Sequence, residues 1–114
     1  MKAIVDIAPR GAVFETAAMQ LAHGQPADYR LHFESVRLLW SHLSGARLEL
    51  LDVLRQQGAC SVYALAKSAG RNYSNVHRDV AALEALGLIE RNTDGGVFVP
   101  FDAVEIRMPL TKAA

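Results

Sequence analysis

The chain has 114 residues, 51% of them hydrophobic, and its twelve Lys and Arg balance twelve Asp and Glu for a formal net charge of zero. That size and apolar share suit one small domain with appendages and exclude a disordered chain, while the charge balance excludes a strongly basic, non-specific nucleic-acid binder. Cys60 is the single cysteine, which excludes an intrachain disulfide and a Cys-x-x-Cys metal site; no apolar run approaches the ~18 residues of a membrane span and no signal-peptide pattern opens the chain, so a cytoplasmic location with no membrane partner is expected.

Residues 1–8 read as a short extended lead-in, and Pro9 suits the first turn of a helix. Phe14, Ala17, Ala18 and Leu21 then recur at helical spacing, and His23-Gly24-Gln25-Pro26 ends that helix. Tyr29, Leu31 and Phe33 alternate with Arg30 and His32, the period of a strand. Val36, Leu39, Trp40 and Leu43 return to helical spacing and predict an apolar stripe for the core or for a dimer contact. Ser44 is placed as the N-cap of the next helix, whose apolar residues are Leu48, Leu50, Leu51 and Leu54 and whose end is Gly58. Ser61 caps a short helix with Leu65, Ala66 and Ala69 on its apolar face, and Gly70 stops it, because glycine takes the left-handed conformation that a helix C-terminus favours. Asn72 is the following N-cap; Val76, Val80, Leu83 and then Leu86 or Gly87 recur at spacings of four and three, the mark of one buried helix face. Leu88–Asn92 and Val97–Phe101 are expected as strands around a Thr93-Asp94-Gly95-Gly96 turn. Val104 and Ile106 alternate with Glu105 and Arg107 and suggest a last strand.

The helix after Asn72 carries the functional signal. Tyr73, Ser74, Asn75, His77 and Arg78 crowd donor and acceptor side chains into its first turn and a half. That end of a recognition helix meets base edges in the major groove. Asn can pair with adenine through both amide groups, Ser can meet several bases, and Tyr can stack on sugar or donate to phosphate. Arg78 suits guanine or a phosphate, and the phosphate role is the commoner one. His77 stands open between a phosphate contact and a structural partner. A carboxylate beside phosphate is repelled, so Asp79 is expected to brace Arg71 or Arg78. Between Ser61 and Val80, Lys67, Arg71 and Arg78 face Asp79 alone, a modest local excess of positive charge in a neutral chain.

These residues carry a resemblance. The run LAKSAGRNYSNVHRDVAALEALGLIER, Leu65 to Arg91, resembles the reading head of winged helix-turn-helix transcriptional regulators of the MarR/ArsR kind. The chain is more closely similar to a small group of predicted prokaryotic regulators that carry Tyr-x-Asn-Val-His-Arg-Asp-Val, here Tyr73–Val80. That group ends in Val-Pro-(Tyr/Phe)-Asp-x-(Ile/Val)-Glu-Ile-x-x-Pro-Leu, here Val99–Leu110. The resemblance implies an α+β, mainly helical fold: a winged helix-turn-helix over residues 44–101, an N-terminal extension over 1–43 for dimerisation and framing, and a C-terminal strand and tail over 102–114. It implies a sequence-specific DNA-binding regulator, expected to be a repressor, that binds double-stranded DNA as a homodimer without a cofactor. Tyr73, Ser74, Asn75 and Arg78 would then carry base or phosphate recognition. Ser61, Lys67, Arg71 and His77 would help clamp the backbone, and Arg91 with Asn92 would contact the backbone or minor groove beside the hairpin.

Plainer readings stand beside these. Polar residues at a helix start are often only solvated, and Gly95-Gly96 by itself marks a plain hairpin turn. The four histidines and Cys60 are scattered rather than set at ligand spacing, so no metal is expected. No nucleophile elbow, phosphate loop or useful carboxylate pair is present, so the chain is not read as an enzyme. Two other classes remain: an antitoxin that binds a toxin protein and represses its own operon, and a winged-helix module that binds protein and never DNA.

Overall fold

The computed structural model describes residues 1–7 and 28–110. The helix expected over Phe14–Leu21, with Pro9 before it and His23–Pro26 after it, lies outside the described residues. In chain order the elements are β1 (Lys2–Ile7), β2 (Tyr29–Phe33), α1 (Val36–His42), α2 (Gly45–Gln57), α3 (Val62–Ala69), α4 (Tyr73–Ala85), β3 (Glu90–Arg91), β4 (Val97–Phe98) and β5 (Ala103–Arg107). They form two units: His42–Asp102, and Met1–Ser41 together with Ala103–Ala114.

In the unit that holds both ends of the chain, the opening residues are more than a lead-in. They form the central strand of a three-stranded sheet ordered β2-β1-β5, with both pairings parallel. Ala3, Ile4 and Val5 are all buried. A strand covered on both faces, as parallel strands are, reads as a continuous apolar run rather than as an alternation, which is why periodicity did not reveal it. β2 and β5 occupy the positions where alternation was visible, and Ile4 lies opposite Arg30 on one side and Glu105 on the other. Cross-strand pairs decorate the sheet: Arg30 with Asp6 at 3.2 Å and Lys2 with Glu105 at 3.2 Å. Ser35 caps α1, its Oγ accepting from the Leu38 amide at 3.2 Å. The apolar stripe of α1 is narrower than its spacing suggests. Leu39 is 1% exposed, but Val36 and Trp40 are 37% and 53% exposed, so Trp40 is not a core residue. A helix of seven residues buries one line of side chains, and the neighbours of Leu39 fall outside it.

In the unit His42–Asp102, three capped helices precede a hairpin. The hydroxyl of Ser44 accepts from Arg47 N and that of Ser61 from Ala64 N, and the Asn72 amide oxygen accepts from Ser74 N and Asn75 N. These caps satisfy backbone donors that have no partner inside the helix. α3 ends as expected at Gly70, whose φ of +64° is left-handed; Gly70 N donates to Lys67 O and Arg71 N to Ala66 O, the paired bonds of a Schellman ending. The same arrangement at Gly87, with Gly87 N donating to Glu84 O and Leu88 N to Leu83 O, turns the chain out of α4. α3 packs against both α2 and α4. The core between them holds Leu50, Leu51 and Leu54, then Val62, Leu65 and Ala66, then Val76, Val80 and Leu83, all buried. Leu48 and Leu86 are only half-buried.

The hairpin ladder is shorter than the expected Leu88–Asn92 and Val97–Phe101. Glu90 pairs with Phe98 and Arg91 with Val97, while Leu88, Ile89, Val99 and Phe101 serve as buried anchors on either side. β4 also has a partner on its other edge, because Cys60 and Val97 exchange both backbone bonds at 3.1 and 2.7 Å. The turn closes through Asn92 N and Gly96 O at 2.7 Å. Three helices with a hairpin directly after the third make a winged helix-turn-helix, within an α+β fold dominated by helix.

Candidate nucleic-acid interface

The periodicity of α4 sorts its side chains into four lines. Val76, Val80 and Leu83 face the core. Opposite them, Ser74 and Arg78 head an exposed stripe that Ala81 and Ala85 continue. Tyr73 and His77 flank that stripe on one side, and Asn75 flanks it on the other; all three are exposed. The residues singled out from the sequence on this helix are all exposed, with Ser74 and Arg78 at the apex and Tyr73 nearest the buried line.

Each flank is braced differently. On the Tyr73 side the bracing is aromatic. The Tyr73 ring lies 5.8 Å from His77 and 6.5 Å from Tyr63 on α3, both tilted, within the range of favourable aromatic pairing. Tyr63, 65% exposed, was not anticipated. Further along the same flank, Glu84 receives Arg91 in a bidentate pair, Nε at 3.2 Å and Nη2 at 3.0 Å, while Arg91 Nη1 donates to the Gly95 carbonyl at 3.1 Å. The Arg91 hydrogen bonds and charge hold the Glu84 carboxyl below its usual range, and Glu84 in turn raises Arg91. Arg91 is thus tied between α4 and the hairpin turn.

On the other flank the bracing is ionic. Asp79 accepts Arg71 Nη2 at 2.7 Å and Arg47 Nε at 3.0 Å, and Arg47 Nη1 donates to the His42 carbonyl at 2.9 Å. Partial burial alone would raise the Asp79 carboxyl. The hydrogen bonds from Arg71 and Arg47, together with their charges, outweigh that and hold it below the ordinary carboxylate range. Of the two partners weighed for Asp79, Arg71 is the one engaged and Arg78 is not. Arg47 was missed: 32 residues separate it from Asp79, and no local pattern links them. The only signal in the sequence was a carboxylate at the margin of a buried stripe, which calls for a cation from somewhere.

Ser61 is occupied as the cap of α3, its Oγ 3.1 Å from the Ala64 amide. Lys67 is exposed in the last turn of that helix. Within His42–Asp102, Arg47, Arg71 and Arg91 are held by carboxylates, and Arg55 donates to the Val99 carbonyl at 3.2 Å. Lys67 and Arg78 make no hydrogen bond or ion pair among the described residues. Cys60 is half-buried and its thiol is raised by that burial, which works against a reactive thiolate. No group of three or more His, Cys, Asp or Glu side chains that could hold a metal ion occurs among the described residues, nor does any helix long and apolar enough to cross a membrane.

Residues 42–106, more than half of the chain, match the HVO_A0114 family. The chain belongs to that family. The matched stretch takes in the whole winged helix-turn-helix of this HVO_A0114 protein, with all of the braces just described, and most of β5. Among solved structures, it is similar to a homodimeric winged helix-turn-helix DNA-binding domain from Mycobacterium bovis, a fragment of a possible ArsR-family transcriptional regulator. The two share 23% identity with a TM-score of 0.48, over 81% of this chain and 71% of that one. No curated protein matches the sequence.

Proposed function

We propose that the protein is a sequence-specific regulator that binds double-stranded DNA as a homodimer in the cytoplasm and represses transcription by occupying its site. One observation carries this reading: α4 presents Tyr73, Ser74, Asn75, His77 and Arg78 to solvent, and within His42–Asp102 the two cations left without an internal partner are Arg78 on that helix and Lys67 on the helix before it. Holding a charged side chain in an internal pair removes it from service to a ligand; leaving it extended keeps it available for phosphate or guanine. Ser74 and Arg78 at the apex would enter the major groove, with the short Ala81 and Ala85 side chains letting the helix lie close to the bases. Asn75 on one side has the amide geometry for adenine, and Tyr73, His77 and Lys67 suit the backbone.

A single head of this size reads a few base pairs, so two copies about one helical turn apart give useful affinity. Exposed Val36, Leu38 and Trp40 on α1 supply apolar surface for a second copy. The test is a binding-site selection from random duplex DNA with the purified protein. A converged, roughly palindromic motif whose binding weakens at least tenfold in Arg78→Ala is expected. Failure to enrich any sequence, with weak binding that is indifferent to Arg78→Ala, would overturn the reading.

A further inference from the structure

We infer that Arg47 is a positioning residue that sets the angle of the recognition helix. Arg47 sits in the first turn of α2 and spans three parts of the unit at once. Its Nε holds Asp79 on α4 at 3.0 Å, its Nη1 holds the carbonyl of His42 at 2.9 Å, and Asp79 holds Arg71, directly after α3, at 2.7 Å. The chain of bonds therefore runs from His42 through the start of α2 to α4, and on to the turn between α3 and α4. The side chains of Arg47 and Asp79 are 18% and 14% exposed, so the pair is shielded from most of the solvent that weakens surface ion pairs.

Val76, Val80 and Leu83 keep one face of α4 on the core, because a large roll would expose them, but apolar contact is non-directional and leaves small rotations about the helix axis to be set by directional bonds. A directional, charge-assisted bond at the margin of the buried stripe fixes that rotation. Asp79 is placed for this: it lies on the same flank as Asn75, one turn further on, so any roll that moves Asp79 carries Asn75, Ser74 and Arg78 with it. Arg71 belongs to the same device. Its Nη1 is buried and has no hydrogen-bond partner, so that end of the guanidinium is withdrawn from solvent and Arg71 acts through Asp79. Two guanidinium groups on one carboxylate also leave a net positive charge beneath the start of α4, where a phosphate ligand would feel it with reduced screening.

The consequence for DNA rests on the proposed function, whereas the positioning itself does not, and the experiment separates them. Arg47→Gln keeps a polar side chain of moderate length but removes the charge and the two-way reach; Arg47→Lys keeps the charge and loses the second bond. Residual dipolar couplings of backbone amides are measured for the parent and both variants without DNA. In the parent, couplings from α2, α3 and α4 should fit a single alignment frame. In Arg47→Gln the couplings of α4 should still fit a helix but no longer share the frame of α2 and α3, and Arg47→Lys should fall between the two. On the selected duplex, Arg47→Gln should lose roughly tenfold or more in affinity while random duplex changes less than about threefold. If the helices of a folded Arg47→Gln keep the parent frame, the positioning role is wrong, whatever DNA does. If Arg47→Gln unfolds, Arg47→Lys decides by the same couplings. If the frame shifts as expected but the parent binds no sequence selectively, the positioning stands and the DNA reading fails.

Discussion

The two sets of cations around α4 differ in what they are attached to. Arg47, Arg71 and Arg91 end on carboxylates, at 2.7 to 3.0 Å for their shortest contacts, and tie α4 to the start of α2, to the turn before α4 and to the wing. Arg78 and Lys67 end in solvent. The sequence shows Lys67, Arg71, Arg78 and Arg91 as basic residues near one helix, says nothing of Arg47, and gives no means of dividing them. The fold divides them by the angular position of Asp79 and Glu84, each set beside the buried stripe rather than opposite it. In a chain with no net charge, most of the local positive charge is spent on geometry, and the remainder marks the face turned outward.

The comparison can be broken most violently from beneath. Leu83 is fully buried and supports both flanks. Leu83→Asp places an unpaired carboxylate in the core, at a cost of several kcal/mol against a total stability of about 5–15 kcal/mol. Cooperative thermal melting should be lost, and with it every difference between tied and untied cations. Parent-like melting would show that the inner and outer faces of α4 have been exchanged.

A smaller change removes one tie. Asp79→Asn should cost about 1–3 kcal/mol at neutral pH, because the amide gives up the charge and keeps only one oxygen to accept, so one of the two guanidinium bonds is lost. The folded Asp79 titrates below its unfolded value of about 3.9. Its contribution is therefore complete above that value and disappears as pH falls through the lower, folded one. Urea titrations of parent and variant across pH should show a stability gap that is constant near neutrality and closes below about pH 4. A gap that does not narrow as pH falls below about 4 would mean that the pair with Arg71 and Arg47 is not its source.

On the untied side, Asn75→Ala should leave melting within about 0.5 kcal/mol of the parent, since the side chain is exposed. It should cost about 1–3 kcal/mol on the selected site and relax one base position. An unchanged motif would move base reading to Ser74 and Arg78 alone. Smaller still, Gly70→Ala places a Cβ in open space but at a φ of +64°, and should lower stability by about 1–2 kcal/mol without changing the motif.

How much of this was legible follows from the range of each interaction. The caps at Ser44, Ser61 and Asn72, the stop at Gly70 and the buried line Val76-Val80-Leu83 all depend on residues within one or two turns of each other, and each is where the sequence placed it. β1 was hidden because Ala3, Ile4 and Val5 are buried on both faces, which leaves no alternation to read. Of the two places open to Trp40, the core is excluded by its exposure, and helical spacing alone could not say so because it does not give the width of a buried stripe. Arg47 with Asp79, Cys60 with Val97 and Tyr63 with Tyr73 join separate elements, and local pattern contains nothing of their pairing. The candidate surface was legible as a list of residues; which of its cations are free was decided by the packing.

The most direct measurement of the division between braced and outward-facing cations is the set of arginine side-chain Nε–H resonances, followed by NMR as the selected duplex is added. The expected result is a shift of Arg78 that saturates with the amides of Tyr73, Ser74 and Asn75, while Arg47 and Arg91, held at Asp79 and Glu84, stay where they were. Movement of Arg47 and Arg91 with Arg78 unmoved would contradict the account.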